Sequence, residues 1–230
     1  MTDKIRIALA TPHRRHDRLE ASLRERHGYD VLRIRDRHML SEDELHAFGP
    51  RLIFFPHWSW MIPEELHAKF TCVIFHMTDL PYGRGGSPLQ NLIVRGHKET
   101  VMSALRCVSE LDAGPIYLKR ALSLAGTAEQ VLDRASNLME DMIVDILEKD
   151  LAPVSQQGNV VQFQRRVPAD GNIRDLDSPE RAYDYIRMLD GEGYPPAFLD
   201  TSHLRLEFSG AMLSEDEVMA TVRIRRIPLE

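Results

Sequence analysis

Short apolar runs alternate with helix-like segments in the N-terminal third of the chain, and this alternation restricts the fold more than any other feature. The runs are rich in β-branched residues, which is typical of buried strands. Strands are predicted at 5–10, 31–34, 51–55 and 73–76, and helices begin near residues 13, 41 and 64. This order predicts an α/β fold with a mostly parallel open sheet and helices on both faces.

The pattern changes in the second half of the chain. Apolar residues at helical spacing predict a long helix over about 128–149, and Pro, Ser, Gln and Gly then gather in a linker-like run. Further predicted elements are strands at 100–107, 116–124, 160–165, 204–208 and 218–227, and a helix at 179–189. We therefore expect a catalytic domain at 1–151 and a small α+β C-terminal subdomain at 159–228.

Composition limits the classes of function. The chain has 230 residues and a net charge of −6, which argues against a nucleic-acid surface. Cys72 and Cys107 lie in apolar runs, so we expect reduced core thiols and a cytoplasmic protein. No run is long enough to span a membrane, and we expect no membrane partner. Thr11-Pro12-His13 fills the first turn where a dinucleotide site would need glycines.

His76 is the first candidate for chemistry, because it ends the apolar run of the fourth strand. Asp112 ends a later run, so both side chains could meet at one sheet edge, where open α/β sheets bind ligands. A carboxylate beside an imidazole orients the ring and fixes its tautomer. A histidine bonded to backbone at a strand end is the structural alternative. Ser87 does not lie in a nucleophile-elbow motif, so a mechanism with a covalent intermediate has little support.

The loop at 56–63 contains both tryptophans of the chain, Trp58 and Trp60. Two tryptophans in one loop could form an aromatic wall that suits a flat heteroaromatic ligand. A hydrophobic plug that packs under the loop explains the two tryptophans equally well. The His13–His16 cluster is either an anion site or a solvated helix start. We expect no metal site, because no acidic residues at supportive spacing accompany His57 and His76.

Two motifs carry a resemblance to a known family. The run His76–Pro88 has the spacing H-x-x-x-L-P-x-x-R-G-x-x-P, and Leu111–Ile116 reads L-D-A-G-P-I. In this order and at this distance they resemble the signature motifs of the folate-dependent formyltransferases, over about residues 5–147. The segments 177–187 and 194–198 resemble formyltransferases that act on nucleotide-linked amino sugars. The string Phe75–Pro88 is most similar to the pseudaminic-acid-type branch of these enzymes.

The resemblance implies that N10-formyltetrahydrofolate donates a formyl group to the amine of a nucleotide-linked amino sugar, in cell-surface or flagellar glycan synthesis. The alternatives are a formyltransferase for another amine, such as an aminoacyl group or an amino acid, and a weak or non-catalytic binding relative. The last alternative depends on Ile74, which stands where the family has an Asn that donates to the oxyanion.

The resemblance also implies roles for particular residues. His76 and Asp112 would be catalytic, with Thr78 as the substitute oxyanion donor. The remaining roles are folate binding by Trp58, Trp60, Met61, Ile62, Leu111 and Asp112, and substrate binding by Arg84, Gly85, Arg187 and Tyr194. The apolar C-terminal strands could also join two copies in a homodimer.

Overall fold

The structure of the protein is a computed structural model that describes residues 4–227. Its strands are β1 (Arg6–Ala10), β2 (Asp30–Ile34), β3 (Leu52–Phe55), β4 (Cys72–His76), β5 (Tyr82–Gly85), β6 (Glu99–Arg106), β7 (Ile116–Ser123), β8 (Val161–Phe163), β9 (Ala197–Asp200), β10 (Leu204–Leu213) and β11 (Val218–Arg226). Its α-helices are α1 (Asp17–Glu25), α2 (Glu42–Phe48), α3 (Glu64–Lys69), α4 (Pro88–Val94), α5 (Ala128–Glu148) and α6 (Pro179–Arg187). None of the helices described between residues 4 and 227 is long and apolar enough to cross a membrane.

The main sheet has six strands in the order β2-β1-β3-β4-β6-β7. Strands β2, β1, β3 and β4 are parallel to one another. β6 is antiparallel to β4, with Ser103 beside His76 and Arg106 beside Val73. The predicted α/β fold with a mostly parallel open sheet is confirmed. β6 is the strand that runs opposite to its neighbour β4.

Successive residues of a strand point to opposite faces of the sheet. Side chains on both faces are buried. On one face the strands contact Leu45 of α2 and Leu66 of α3 in a single cluster with Ala8, Ala10, Ile53, Phe55 and Cys72. The other face carries Ile7, Leu9, Phe54 and Val73, all fully buried. Because both faces of the sheet are covered, these strands are apolar throughout and do not alternate between apolar and polar residues.

The chain divides into two compact units that alternate along the sequence. The first contains the chain up to Gly85, Val101–Leu122 and Asp133–Gln162. The second contains Gly86–Thr100, Ser123–Leu132 and the chain from Phe163 onward. The functional division into 1–151 and 159–228 stays a prediction, and the ends of these two ranges, residues 1–3 and 228, lie outside the described residues.

The second unit is α+β, and its sheet is a three-stranded antiparallel one in the order β11-β10-β9. Ser178 caps α6 by accepting a hydrogen bond from the amide of Arg181 at 3.3 Å, and Pro179 opens the helix. The sequence did not predict β9, which lies directly after the Pro195-Pro196 turn. The register of β10 against β11 shifts between Ser209 and Met212, which marks a bulge.

The segment after His76 is more regular than the sequence indicates. Its proline and glycine residues, such as Pro81 and Gly83, favour a loop, but Tyr82–Gly85 forms β5, which pairs with β8. Proline has no amide hydrogen to donate, but its carbonyl oxygen accepts from Val161 at 3.3 Å. A partner strand distant in the sequence thus orders a segment whose own residues favour a loop.

Candidate active site

The loop after β6 brings Asp112 to His76. Because β6 is antiparallel to β4, its carboxyl end at Arg106 lies beside Val73, at the far end of β4 from His76. The two side chains do meet as expected, but not because their strands end at the same sheet edge. The loop runs back towards the end of β4, and Oδ2 of Asp112 lies 3.6 Å from Nδ1 of His76.

A hydrogen bond fixes the tautomer of His76. Its Nε2 lies 2.7 Å from the carbonyl oxygen of Gly83. A carbonyl oxygen only accepts, so Nε2 carries the hydrogen and the neutral ring keeps its lone pair on Nδ1. The 3.6 Å between Nδ1 and the Asp112 carboxylate is longer than a hydrogen bond. Nδ1 can therefore take up a proton, and the carboxylate stabilises the charge that the ring then carries.

Asp112 is held by its own backbone and by two neighbours. Its φ of +53° lies in the left-handed region, which Asp adopts more readily than most residues. Oδ2 accepts a hydrogen bond from the amide of Gly85 at 2.9 Å. The carbonyl oxygen accepts from Nε2 of Gln156 at 2.7 Å. The carboxylate is 8% exposed, so its position beside the imidazole is set by the chain.

Gln156 is a residue of this site that the sequence did not indicate, because it falls in the linker-like run at 152–158. Its Nε2 donates to the carbonyl oxygens of Asp112 and Gly114, at 2.7 and 2.9 Å. Its Oε1 accepts from Nη2 and Nε of Arg84, at 2.8 and 3.2 Å. One amide thus joins the two sequence motifs. A lone polar residue in such a run gives no signal that could have revealed this role.

Arg84 has partners within the chain on both sides of its guanidinium. Besides Gln156, it donates from Nη1 to Glu110 at 2.9 Å, and its side chain is 12% exposed. These bonds position β5 against the loop that carries Asp112. The binding of substrate by Arg84 and by Gly85, whose amide is bonded to Asp112, stays a prediction.

Thr78 is fully buried and shares an acceptor with His76. Its Oγ1 donates to the carbonyl oxygen of Gly83 at 3.3 Å, the oxygen that also receives Nε2 of His76. Its own carbonyl accepts from Oγ of Ser103 at 2.7 Å. Two polar hydrogens therefore converge on one carbonyl oxygen, and the Thr78 bond is the longer and weaker of the two.

The tryptophan loop is partly packed on the core and partly exposed. Trp58 and Ile62 contact the apolar cluster of the sheet, and Trp58 and Trp60 meet edge to face at 4.8 Å. Ile74, at the position of the family's Asn, packs against the same cluster. Met61 is 73% exposed, and so this loop supplies both a plug and an apolar surface.

A cavity of about 330 Å³ lies between α3 and the loop after β6. Two of its lining residues, Glu64 and Ser109, are each two positions in sequence from a segment predicted to bind folate. The lining itself includes none of the six residues predicted to bind folate. Leu111 itself is 55% exposed. Cys107 also lines the cavity, and burial raises the pKa of its thiol to about 11, so it stays protonated and is a poor nucleophile at neutral pH.

Two neighbouring histidines, the buried His16 and the half-buried His57, lie in the loops after β1 and β3. Nδ1 of His16 is 2.8 Å from Oγ of Ser136, and its Nε2 is 3.1 Å from Nδ1 of His57. Burial, then the neighbouring His57, His13 and arginines, lowers the pKa of His16 to about 2. Burial, then Arg15 and His13, lowers the pKa of His57 to about 3. Two neutral rings argue against an anion site at these histidines. The alternative of a solvated helix start does not hold for His16 either, because its ring is fully buried.

Arg187 and Tyr194 lie in the second unit. Arg187 is 3% exposed, and its guanidinium bonds Asp184 at 2.7 Å and the carbonyl oxygens of Leu124 and Gly126 at 2.6 and 2.9 Å. Tyr194 is half-buried. Substrate binding by these two residues stays a prediction. Within residues 4–227, no group of three or more His, Cys, Asp or Glu side chains is placed to hold a metal ion.

Known proteins resemble both parts of the chain. Residues 168–225 match the family model described as methionyl-tRNA formyltransferase, C-terminal domain. A methionyl-tRNA formyltransferase from Clostridium thermocellum is 44% identical, over 96% of this chain and 99% of that one, with a TM-score of 0.93. A methionyl-tRNA formyltransferase from Malacoplasma penetrans is 24% identical over 72% of this chain, which spans 55% of that protein. A sugar N-formyltransferase from a Shewanella species has a TM-score of 0.63 at 15% identity, over 86% of this chain and 93% of that one, which is a likeness of fold alone.

The fold and these similarities define a formyl-transferring class of protein. At 44% identity over 99% of the Clostridium protein, the chain belongs to the folate-dependent formyltransferase family, as the two motifs implied.

The prediction of a nucleotide-linked amino sugar as acceptor is wrong. The relative at 44% identity is a methionyl-tRNA formyltransferase, whereas the sugar enzyme is only 15% identical. Two of the three segments on which the sugar prediction depended, 177–187 and 194–198, fall inside the residues that match the methionyl-tRNA formyltransferase model. The first contains the cap and the whole of α6, and the second contains a Pro-Pro turn and the start of β9. These patterns determine local structure and not the acceptor.

Proposed function

We propose that this chain transfers a formyl group from N10-formyltetrahydrofolate to the α-amine of an aminoacyl group, with methionyl-tRNA as the acceptor. The similarity to the Clostridium protein, at 44% identity over nearly all of both chains, carries the proposal. The acceptor contains nucleic acid, which the net charge of −6 led us not to expect. The Malacoplasma relative is longer than this chain, which spans 55% of it, so activity and acceptor are both part of the proposal.

His76 is the proton carrier in this proposal. Its Nε2 hydrogen is bonded to Gly83, so Nδ1 accepts the proton that the attacking amine releases and returns it to the departing nitrogen. The Asp112 carboxylate, 3.6 Å away, stabilises the ring while it carries that proton. Gln156 keeps Asp112 in place through its carbonyl oxygen and acts as a positioning residue.

Thr78 is the proposed donor to the developing negative oxygen, since Ile74 has no polar hydrogen to offer. Its hydroxyl bond to Gly83 is 3.3 Å long, and a charged oxygen is a stronger acceptor than a peptide carbonyl. Thr78 is fully buried, so its hydroxyl would give up the bond to Gly83 to donate to that oxygen, while Nε2 of His76 keeps its own bond to Gly83.

The residues present fit a folate. The donor supplies an activated formyl carbon, and the chain supplies an apolar wall beside a cavity of about 330 Å³, within the range of small-molecule sites. Trp58, Trp60, Met61 and Ile62 would form one side of that wall, and Leu111 with the Asp112 backbone the other. Cys107 in the cavity remains protonated and forms no covalent intermediate.

The test is to incubate the protein with N10-formyltetrahydrofolate and methionyl-tRNA, and to measure the gain of one formyl group on methionine by mass spectrometry. Free methionine and a nucleotide-linked amino sugar are the comparison acceptors. Formyl-methionyl-tRNA is the expected product. Turnover on the amino sugar alone, or on no acceptor while folate still binds, would overturn the proposal.

The reducing cytoplasm is the compartment that we propose for this reaction. In support, both cysteines are free thiols, and Cys72 is buried.

A further inference from the structure

The turn from Asp79 to Tyr82 directly precedes the carbonyl oxygen that fixes the tautomer of His76. The amide of Tyr82 donates to the carbonyl oxygen of Asp79 at 3.1 Å, which closes the turn. The next residue is Gly83, whose carbonyl oxygen lies 2.7 Å from Nε2 of His76. The path of this turn therefore sets the position of the acceptor that Nε2 uses.

Lys119 of β7 contacts this turn at two points through one ammonium group. Its Nζ donates to Oδ1 of Asp79 at 2.5 Å and to the carbonyl oxygen of Leu80 at 2.7 Å. The first contact restrains a side chain of the turn, and the second restrains its backbone. Hydrogen bonds from a charged donor are roughly twice as strong as those between neutral groups, so Lys119 is an effective restraint.

Neighbouring strands hold the two ends of the same segment. At one end, the carbonyl oxygen of Thr78 accepts from Oγ of Ser103 on β6 at 2.7 Å. At the other end, the carbonyl oxygen of Pro81 accepts from the first residue of β8 at 3.3 Å. The carbonyl oxygen of Leu80 lies between these two and accepts from Lys119. Lys119 thus holds the middle of a segment whose ends are bonded to β6 and β8.

The ion pair between Lys119 and Asp79 adds little to the stability of the fold. The side chain of Asp79 is 60% exposed and that of Lys119 is 35% exposed, and ion pairs open to solvent contribute little. Leu80 is 1% exposed, so its side chain attaches the turn to the core with or without Lys119. The two bonds of Lys119 therefore act on local geometry more than on folding.

The local geometry matters because two acceptors compete for the single hydrogen of the neutral His76 ring. The Gly83 carbonyl oxygen lies 2.7 Å from Nε2, and the Asp112 carboxylate lies 3.6 Å from Nδ1. At equal distance the charged acceptor would hold the hydrogen more strongly. The hydrogen stays on Nε2 because the Gly83 oxygen is closer. A ring with its hydrogen on Nδ1 has no lone pair there to accept a proton.

We propose that Lys119 is a positioning residue for formyl transfer, an inference that rests on the proposed function. Lys119 holds the turn, the turn places the Gly83 oxygen, and that oxygen keeps the hydrogen of His76 on Nε2. Nδ1 then remains free to accept the proton of the attacking amine. In this role Lys119 acts through Gly83 and Asp112 opposes it.

Nitrogen NMR of protein labelled at histidine tests the tautomer, because a ring nitrogen with a hydrogen and one without give different signals. The spectra are recorded at about pH 8, where a histidine of ordinary pKa is neutral, and His76→Asn assigns the signals of His76. We expect the hydrogen on Nε2 in the unchanged protein. Lys119→Met should shift the population towards Nδ1, and Lys119→Arg should retain Nε2, since a guanidinium can also donate to both acceptors.

Lys119→Met should also lower kcat for formyl transfer to methionyl-tRNA about tenfold, which is part of a general acid–base contribution. The KM for the acceptor should change less than about twofold, and the midpoint of urea unfolding should stay the same. Lys149→Met is the matched control, because Nζ of Lys149 lies 2.6 Å from Asp145 in a surface ion pair on α5. Its loss should change neither the tautomer nor kcat.

An unchanged His76 tautomer in the folded Lys119→Met variant would overturn the proposal. A changed tautomer with the kcat of the unchanged protein would also overturn it. Failure of the proposed function is seen separately, because the unchanged protein and Lys149→Met would then form no formyl-methionyl-tRNA. The tautomer measurement needs no acceptor.

Discussion

Nδ1 of His76 and Oδ2 of Asp112 lie 3.6 Å apart, although the strands that precede them run in opposite directions. The loop after β6 returns along β4 to make this approach. Gly85 and Gln156 hold Asp112, and Gly83 holds the far nitrogen of His76. An imidazole with one fixed hydrogen and a carboxylate beside its free nitrogen is arranged for proton transfer.

His76→Asn and Asp112→Asn should each lower kcat for formyl transfer by about a hundredfold or more, the usual size of general acid–base contributions. Asn in place of His76 keeps a polar group but cannot carry a proton at neutral pH. Formyl transfer is measured under saturating donor, and folate binding is measured separately. Near-wild-type turnover in either variant would remove the pair from the mechanism.

Gln156→Ala should lower kcat and leave the KM for the acceptor nearly unchanged, because Gln156 acts through Asp112. It should also lower the free energy of unfolding by about 1–3 kcal/mol, since Asp112 and Gly114 lose a donor and Arg84 loses an acceptor. Gln157→Ala, at the exposed neighbouring residue, is the control and should change neither quantity. Equal behaviour of the two variants would contradict the positioning role.

Thr78→Val should lower kcat by about a hundredfold if its hydroxyl meets the developing oxyanion. The change keeps the side chain's shape and removes the hydrogen that is bonded to Gly83. Thr78→Ser keeps that hydrogen and should retain most of the activity. If the valine variant is as active as the serine variant, the oxyanion is stabilised by another group.

Ile74→Asn should destabilise the protein by about 1–3 kcal/mol, because the amide would enter the apolar cluster with Trp58 and Ile62. Ile74→Val should cost about 0.5–1.5 kcal/mol and serves as the packing control. Urea unfolding measures both. If kcat rises in the folded asparagine variant, a donor at this position adds to catalysis, and an unchanged kcat indicates that the role is already filled.

Acid should destabilise the protein between about pH 6.5 and pH 3 through His16 and His57. Their folded-state pKa values are lowered to about 2 and about 3, so the unfolded chain binds more protons in this window. Each histidine then contributes at most about 1.4 kcal/mol of lost stability per pH unit. Urea unfolding of His16→Asn should have a shallower pH dependence than wild type, whereas His203→Asn, at an exposed site, should match wild type.

Several elements could be predicted because their signals are local. The helix predicted to begin near residue 64 is α3, which starts at Glu64, and Ser178 caps α6 as its sequence indicates. The apolar runs predicted the parallel strands because both faces of the sheet are covered. β5 was missed because its order comes from β8, a partner strand about eighty residues away.

The sequence by itself determined the α/β class, the family and the pair His76 and Asp112 as candidates, since each depends on local pattern or on motif spacing. It pointed to the wrong acceptor, because the two tail segments behind that prediction specify a helix and a turn and not the acceptor. The tertiary structure alone decided the direction of β6, the return of the Asp112 loop and the part played by Gln156. These are contacts between residues distant in the chain, and only packing and hydrogen bonding in three dimensions select them.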